Sequence, residues 1–271
     1  MKLEQIQLPV TNLLYADYIA NKDKTHEFFE YHQQEKDFEK RAQYLKTKTY
    51  QFEKLAQTIE EYMAPFGISD QVQANIELVR KGAYAVVGGQ QAGILTGPLY
   101  SVHKAITVLL LAKKQSEELQ RPIVPIFWIA GEDHDIEEIN HTYTLADGQL
   151  KKRAYSIRNR KKMMASKTVF DKAEMEKTIL QIFADFGETQ YTNDILKTVQ
   201  KAIQHSLTFT DLFTSLMNDL FKQYGLLMID AANESFRQLE SDYFIRLIEN
   251  SELIASEVYK KEQQLVSLGY P

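Results

Sequence analysis

Three short apolar runs separate longer stretches of the chain in which apolar residues recur at helical spacing. The runs are “AYAVVG” (83–88), “RPIVPIFWIA” (121–130) and “LLMID” (226–230), and apolar residues follow one another in them without polar alternation. Strands buried on both faces, as in parallel sheets, have this pattern. The three runs therefore predict buried strands.

A helical stripe lies between the first two runs. It is formed by Val102, Ile106, Leu109 and Leu110 and predicts an amphipathic helix over residues 99–119. Strand, helix and strand in this order are typical of a βαβ unit. The fold predicted from the pattern is α/β, with a doubly wound, mainly parallel sheet of at least three strands.

Helical spacing also predicts elements on both sides of this unit. Two segments are expected within 24–63, with Phe38 on the apolar face, and one helix over 70–82 opened by an Asp70–Gln73 capping pair. Further helices are expected over 171–204, with Phe186 inward, over 211–224, with Leu220 inward, and over the last forty residues. These elements suggest four segments: an N-terminal helical segment (1–82), the first part of the core (83–150), a basic arm with a helical insertion (151–205), and a continuation of the core with the start of C-terminal helices (206–271).

Composition excludes several classes of protein. The chain has 271 residues, 44% of them hydrophobic, and a net charge of −5, which disfavours a nucleic-acid surface. It has no cysteine, so a disulfide framework, a thiolate zinc site and a cysteine nucleophile are excluded. No apolar run is long enough to span a bilayer. We expect a cytoplasmic protein that binds neither nucleic acid nor membrane.

The basic segment “KKRAYSIRNRKKMMASK” (151–167) contains no acidic residue. Charged runs commonly face water, so a solvated hairpin or loop is one interpretation. A mobile arm that closes over an anionic substrate is the other.

Glycines are concentrated in “VVGGQQAGILTGPLYSVHKA” (86–105), between the first predicted strand and the following helix. Ligands of open α/β sheets bind at this edge. With Gly97 as N-cap and Pro98 at the first helical position, free N–H groups would face an anion, and Lys104, Gln90 and Gln91 would add polar contacts. The segment fits neither the G-x-G-x-x-G nor the P-loop pattern. Close packing of helix on strand is the alternative role of its glycines.

A second polar cluster, “WIAGEDHDIEEINH” (128–141), follows the second predicted strand. A histidine between carboxylates, here His134 between Asp133 and Asp135, suits general acid/base chemistry near neutral pH. The same donors are compatible with a divalent metal, and an acidic solvated turn is a third interpretation. Asp230 adds a carboxylate at the end of the third strand, and Trp128 fits the core better than a stacking role.

The blocks “GGQQAGILTGPLYSVHKAI” (88–106) and “PIFWIAGEDHDIEEINH” (125–141) together resemble the cysteine-adding enzyme family of bacillithiol biosynthesis, BshC. An N-terminal “IQLP”, the strand ending at Asp230 and a C-terminal “LGYP” agree with the family, so the resemblance covers essentially the whole chain. It implies a Rossmann-like core and a ligase that joins L-cysteine by an amide bond to the amino group of glucosaminyl malate. The family is grouped with class I aminoacyl-tRNA-synthetase-type ligases, which implies ATP as cosubstrate, magnesium as a candidate accompanying ion, and no organic prosthetic group.

The resemblance also suggests roles for individual residues. Gln91, Thr96, Gly97, Tyr100 and Lys104 would hold nucleotide phosphates or the acyl-adenylate, and His134, oriented by Asp133 and Asp135, would take a proton from the glucosamine ammonium. No metal ligand is assigned. The remaining candidate nucleotide- and substrate-binding residues are Gly89, Gln90, Gly93, Trp128, Glu132, Asn140, His141 and Asp230.

The family continues beyond the “GYP” region into a helical hairpin that resembles a coiled-coil dimerisation element. We therefore expect this chain to correspond to the N-terminal half or a truncated form, without the coiled coil that implies a family homodimer. The late lysine-rich loop of class I synthetases has no counterpart here. A metal-dependent hydrolase that uses Asp133, His134, Asp135 and His141, and an inactive nucleotide-binding fragment, remain the alternatives.

Overall fold

The computed structural model describes residues 10–32, 34, 36–157 and 162–270. The “IQLP” segment, Pro271 and residues 158–161 of the basic segment lie outside the described residues. The elements in chain order are α1 (Leu13–Ile19), α2 (Asp37–Lys46), α3 (Phe52–Met63), α4 (Asp70–Arg80), β1 (Tyr84–Gln90), α5 (Leu99–Glu118), β2 (Ile123–Ile129), α6 (Ile136–Ile139), β3 (His141–Ala146), β4 (Gln149–Ala154), α7 (Lys172–Phe186), α8 (Thr192–His205), α9 (Phe209–Phe221), β5 (Leu227–Asp230), α10 (Glu234–Glu249) and α11 (Ser251–Ser267).

The chain divides into two compact units. One is Tyr50–Leu239, and the other combines the described residues of Met1–Thr49 with those of Glu240–Pro271. All candidate site residues lie in the first unit. The four segments suggested by the sequence remain a prediction.

In the second unit, a buried carboxylate joins the two ends of the chain. Asp17 of α1 accepts a hydrogen bond from the Tyr270 hydroxyl at 2.8 Å and pairs with Lys22 (2.5 Å) and Lys24 (2.6 Å). The two ammonium groups and the Tyr270 hydroxyl hold the pKa of Asp17 well below its usual range. The tyrosine of the “LGYP” segment is thus a structural partner of α1.

The first unit is built on a three-stranded parallel sheet with the order β1-β2-β5. The central strand β2 has four consecutive buried residues, 124–127. Because successive side chains of a strand point to opposite faces, both faces of β2 are covered. The sheet confirms the predicted α/β fold with parallel strands and the βαβ unit formed by β1, α5 and β2.

Strand β1 differs from its prediction in length and burial. It extends to Gln90, so Gly88, Gly89 and Gln90 belong to the strand, and Val87 of this edge strand is 56% exposed. A Cβ atom on Gly88 would lie 2.6 Å from Val108 Cγ2 of α5. Glycine at this position therefore allows α5 to approach the sheet closely, as the packing interpretation expected.

Helix α5 has the predicted extent, but its buried face is displaced from the predicted stripe. The buried residues are Ser101, Ala105, Val108, Ala112 and Gln115. Val102 and Leu109 pack against the core only in part, while Ile106 and Leu110 are exposed. The prediction followed the largest apolar side chains, whereas close contact with the sheet requires small ones.

Other helical predictions need correction at specific residues. The helix over 171–204 is two helices, α7 and α8, because Gly187 has a φ of +74° that helical residues do not adopt. Phe186, Leu220 and Phe38 are exposed. Ser69, not Asp70, caps α4 by accepting from the N–H of Val72. None of the described helices is both long enough and apolar enough to cross a membrane.

An antiparallel hairpin, β3–β4, follows α6 and includes Lys151, Lys152 and Arg153 of the basic segment. Arg153 and Thr144 both donate to the Asp185 carboxylate of α7, with the Thr144 hydrogen bond at 2.5 Å and the Arg153 hydrogen bonds at 2.6 and 2.8 Å. The hairpin interpretation is thus confirmed for residues 151–154.

Candidate functional site

Three loops leave the sheet at the same edge. Gln90, Ile129 and Asp230 are paired across β1, β2 and β5, and the N–H of Ala130 donates to the carbonyl of Gln90 at 3.1 Å. Because parallel strands end at a common edge, the glycine-rich loop, the loop after β2 and the end of β5 adjoin one another. The sequence predicted this arrangement.

The glycine-rich loop and the loop after β2 are in direct contact through one side chain. The Gln91 amide donates to Asp133 at 2.5 Å and to Glu138 at 2.8 Å. The other Asp133 oxygen accepts from the backbone N–H of Asp135 at 3.0 Å. Gln91 therefore joins the two loops through a pair of carboxylates.

These donors change the acidity of Asp133. The Asp135 N–H, followed by the Gln91 amide, holds the pKa of Asp133 below its usual value. Hydrogen bonds to the charged form stabilise it, so Asp133 is an anion at neutral pH. Its carboxylate is directed at Gln91 and the Asp135 amide.

Replacing Gln91 with methionine is expected to raise the pKa of Asp133 towards its usual value, because one of the donors is lost. Because the pKa of Asp133 is lower in the folded chain than in the unfolded chain, its ionised form stabilises the folded chain at pH values above the unfolded pKa. This stabilisation is lost as the pH falls through the folded pKa. In Gln91→Met the folded and unfolded pKa values of Asp133 lie closer together, so its stabilisation is smaller and is lost over a narrower range of acidic pH. Titration of carboxyl ¹³C signals by NMR measures the change.

Gln90→Met is the matched control, because the Gln90 amide contacts Tyr100 and Lys104 and not a carboxylate. We expect the control to leave the Asp133 titration unchanged. Equal shifts in both variants would contradict the assigned contact.

The glycine-rich loop turns sharply before α5. Leu95, Thr96 and Gly97 have φ values of 52°, 70° and 71°, a left-handed run that non-glycine residues rarely adopt. Gly93 packs against Gly97 at the start of this turn. Pro98, not Gly97, is the N-cap of α5, so Leu99 and not Pro98 is the first helical residue.

The N-terminus of α5 carries no capping side chain and no acidic residue in its first turn. The N–H of Ser101 donates to Pro98 O at 2.8 Å, whereas the N–H groups of Leu99 and Tyr100 and the positive end of the helix dipole remain available to an anion. Lys104, one turn further on, donates to the Gln90 side chain at 2.7 Å and to Gly89 O at 3.4 Å. Ser101 is fully buried here with no partner for its hydroxyl among the described residues, and sequence reasoning did not single it out.

His134 lies on a cleft whose described lining includes no residue of α5. It is exposed and lines this cleft of about 1120 Å³ together with Tyr155, Lys162 and Lys167. Within the described ranges, neither Asp133 nor Asp135 is hydrogen-bonded to the imidazole, so the expected orientation of His134 by these carboxylates is not seen. The two loops are in contact, but the side chain hydrogen-bonded to Asp133 is Gln91 and not His134.

The remaining candidates of the β2 loop have contacts within the fold. The buried Asn140 amide donates to Tyr155 O at 3.0 Å, and His141 Nδ1 lies 2.8 Å from Glu137 O. Trp128 packs edge-on against Phe236 and leaves no space for a Cβ on Gly89. Glu132 is exposed.

In the part of the chain that the structure describes, no three His, Asp or Glu side chains are placed to hold one metal ion. This geometry does not favour the metal-dependent hydrolase interpretation.

Asp230 is 5% exposed at the end of β5. Its carboxylate accepts from the Ser166 hydroxyl at 2.5 Å, and Ser166 lies 3.1 Å from the Thr210 hydroxyl. Burial raises the pKa of Asp230, against the hydrogen bonds from Ser166 and from the Ala232 N–H, which lower it. Sequence reasoning missed Ser166 and Thr210, because only the tertiary fold brings them to Asp230.

Comparison with known proteins agrees with this architecture. The family whose profile matches residues 1–271 is described as “Bacillithiol biosynthesis BshC, N-terminal Rossmann-like domain”. Proteins named “Putative cysteine ligase BshC” from Lysinibacillus sphaericus and Bacillus licheniformis are 51% and 38% identical to the chain, and one from Geobacillus kaustophilus is 38% identical. Each alignment covers 100% of this chain and 50% of the relative, so the chain spans about half the length of these relatives. The chain therefore belongs to the BshC family of bacillithiol biosynthesis and matches its N-terminal Rossmann-like domain.

Proposed function

We propose that this chain provides the nucleotide- and substrate-binding core of a ligase that joins L-cysteine to the amino group of glucosaminyl malate. The observation that carries the proposal is the Gln91–Asp133 contact, which puts the open N-terminus of α5 beside the loop of His134 at one sheet edge. The relatives' printed name, cysteine ligase, supports the reaction class.

The α5 side of the site suits the triphosphate of ATP. The unoccupied N–H groups of α5 and the ammonium of Lys104 offer hydrogen bonds and positive charge to phosphate oxygens. Thr96, Gly97 and Tyr100 lie along the same turn. Activation of the cysteine carboxylate as an adenylate would then need positioning more than covalent help from the protein. A magnesium ion would enter with the nucleotide, held largely by phosphate oxygens and water.

The cleft side suits the amine that attacks the activated carboxylate. His134 is exposed at the cleft surface, where its imidazole can accept the proton of the glucosamine ammonium. Loss of that proton frees the nitrogen lone pair, which attacks the carbonyl carbon of the adenylate. The bond from that carbon to the phosphate oxygen of AMP then breaks, and the nitrogen gives its second proton to solvent. Lys162 and Lys167 line the same cleft and can pair with the malate carboxylates. The proposal also includes a homodimer of the ligase and a contribution to the reaction from the half of the relatives that this chain does not match.

Calorimetric titration of ATP into the wild-type chain and into the Lys104→Met variant tests the nucleotide half of the proposal. We expect ATP to bind the folded chain, and the variant to bind about 10-fold more weakly, because one charge-assisted hydrogen bond is lost. Lys113→Met, on the same helix and exposed, is the matched control and should bind like the wild type. Absence of ATP binding by the folded wild-type chain would contradict the proposal, and binding without amide formation would favour the inactive nucleotide-binding fragment.

A further inference from the structure

A 3₁₀ turn, Ala165–Lys167, is bound by its backbone to the loop that carries His134. The N–H of Ala165 donates to Asp133 O at 2.8 Å, and the N–H of Ser166 donates to Gly131 O at 3.0 Å. Two consecutive amides of the turn therefore contact the loop after β2.

The Ser166 side chain is held from the opposite side by two other elements. Its hydroxyl donates to Asp230 Oδ2 at the end of β5, and the Thr210 hydroxyl of α9 lies 3.1 Å from the Ser166 hydroxyl oxygen. Asp230 Oδ1 accepts from the N–H of Ala232 at 2.8 Å. We call the group formed by Ser166, Thr210 and Asp230 the Asp230 clip.

The clip fits closely against the loop after β2. A Cβ atom on Gly131 would overlap both the Ser166 hydroxyl and the Asp230 carboxylate. Buried polar groups that are hydrogen-bonded to one another restrict the positions of the segments that carry them. The turn and the loop are thus fixed in one relative position.

The same turn leads into a wall of the cleft. Lys167 and Thr168 line the cleft along with His134 and Asn140 of the loop after β2. Any shift of the turn on the loop would change the distance between Lys167 and His134. The clip lies behind this wall, and its members Ser166, Thr210 and Asp230 are not among the cleft-lining residues.

We propose that Asp230 and Ser166 are positioning residues, which hold the Ala165–Lys167 turn on the Gly131–Asp133 loop and so set the width of the substrate cleft. Asp230, predicted from the sequence to contact substrate, acts in this proposal through Ser166. The identity of the cleft's occupant rests on the proposed function, but the clip itself does not.

Hydrogen–deuterium exchange of the ligand-free chain tests the clip. In Ser166→Ala and Asp230→Ala, amides of residues 164–168 are expected to exchange about 10-fold faster than in the wild type, since each variant removes a hydrogen bond to a charged group. Asp230→Asn keeps a polar partner for Ser166 and for the Ala232 N–H, and is expected to restore most of the protection. It also remains informative if Asp230→Ala does not fold.

Ser69→Ala is the matched control, because it removes the N-cap of α4 and lowers stability without touching the clip. Unchanged exchange at 164–168 in both alanine variants of the clip would overturn the proposal. Equal acceleration in Ser69→Ala would also overturn it, since the effect would then be general destabilisation.

A second measurement separates the clip from the proposed reaction. Calorimetry of Ser166→Ala is expected to show about 10-fold weaker binding of glucosaminyl malate with unchanged ATP affinity. Unchanged glucosaminyl malate affinity in a variant with accelerated exchange would overturn the positioning role. If the wild-type chain binds no glucosaminyl malate while the exchange results hold, the proposed occupant fails and the clip stands.

Discussion

In the proposed ligase reaction, replacing His134 with alanine is expected to lower the rate of amide formation by a factor of about 10² to 10⁴, the usual contribution of a general base. His134 is the imidazole that lines the cleft, and the described contacts leave it free to accept a proton from a bound amine. The rate is measured as the thiol product formed from cysteine, ATP and glucosaminyl malate.

Binding measurements on the same variant distinguish proton transfer from substrate affinity. A base acts in the transition state, so His134→Ala should lower kcat while the affinity for glucosaminyl malate stays near the wild-type value. Loss of affinity with unchanged kcat would instead make His134 a binding residue.

His205→Ala is the matched control for this prediction. His205 is an exposed histidine at the end of α8, and its Nδ1 lies 2.8 Å from the carbonyl of Lys201. It does not line the cleft. We expect this variant to turn over like the wild type. A folded His134→Ala variant as active as His205→Ala would end the assignment of His134 as the base.

The sequence pattern was sufficient to predict the sheet and the loops at its edge. Continuous apolar runs identified β1, β2 and β5, and the helical stripe between the first two identified the βαβ unit. The contact between the two loops follows from this topology, because parallel neighbours end at one edge. Polar side chains that follow such strands are close in space whatever their detailed orientation.

Side-chain partners within the site could not be predicted in the same way. Asp133 precedes His134 in the chain, yet its carboxylate is directed to Gln91, forty-two residues away in sequence. The direction of a loop side chain depends on local backbone angles, which composition does not encode. The contact of Ser166 with Asp230 depends on tertiary packing for the same reason.

The β3–β4 hairpin shows a further limit of pattern analysis. The second strand, “QLKKRA”, is largely exposed and carries three basic residues. In the first strand, “HTYTLA”, Thr144 is buried while Tyr143 and Leu145 are exposed, so the apolar positions do not mark the buried face. The hairpin is held instead by the Asp185 carboxylate of α7, which binds Thr144 and Arg153. A polar anchor between distant segments leaves no periodic signal in the sequence.

Replacing Phe127 with alanine is expected to lower the free energy of unfolding by about 3–5 kcal/mol, the range for a large buried aromatic side chain. Phe127 is fully buried in the central strand β2, and its ring lies 6.1 Å from that of Phe213 of α9. Loss of the ring leaves a cavity between the sheet and α9 that the close-packed interior fills only in part. Urea unfolding followed by circular dichroism measures the change.

Phe186→Ala is the matched control, because it removes the same side chain from a position that is 66% exposed. The helical pattern placed Phe186 on the apolar face of its helix, whereas the structure exposes it at the last residue of α7. The structure therefore predicts that Phe186→Ala changes the free energy of unfolding by no more than about 0.5 kcal/mol, as surface substitutions do. If Phe186→Ala lowered the free energy of unfolding as much as Phe127→Ala does, Phe186 would be buried, as the helical pattern predicted. Helix α7 would then pack on the core in a different way from that in the structure.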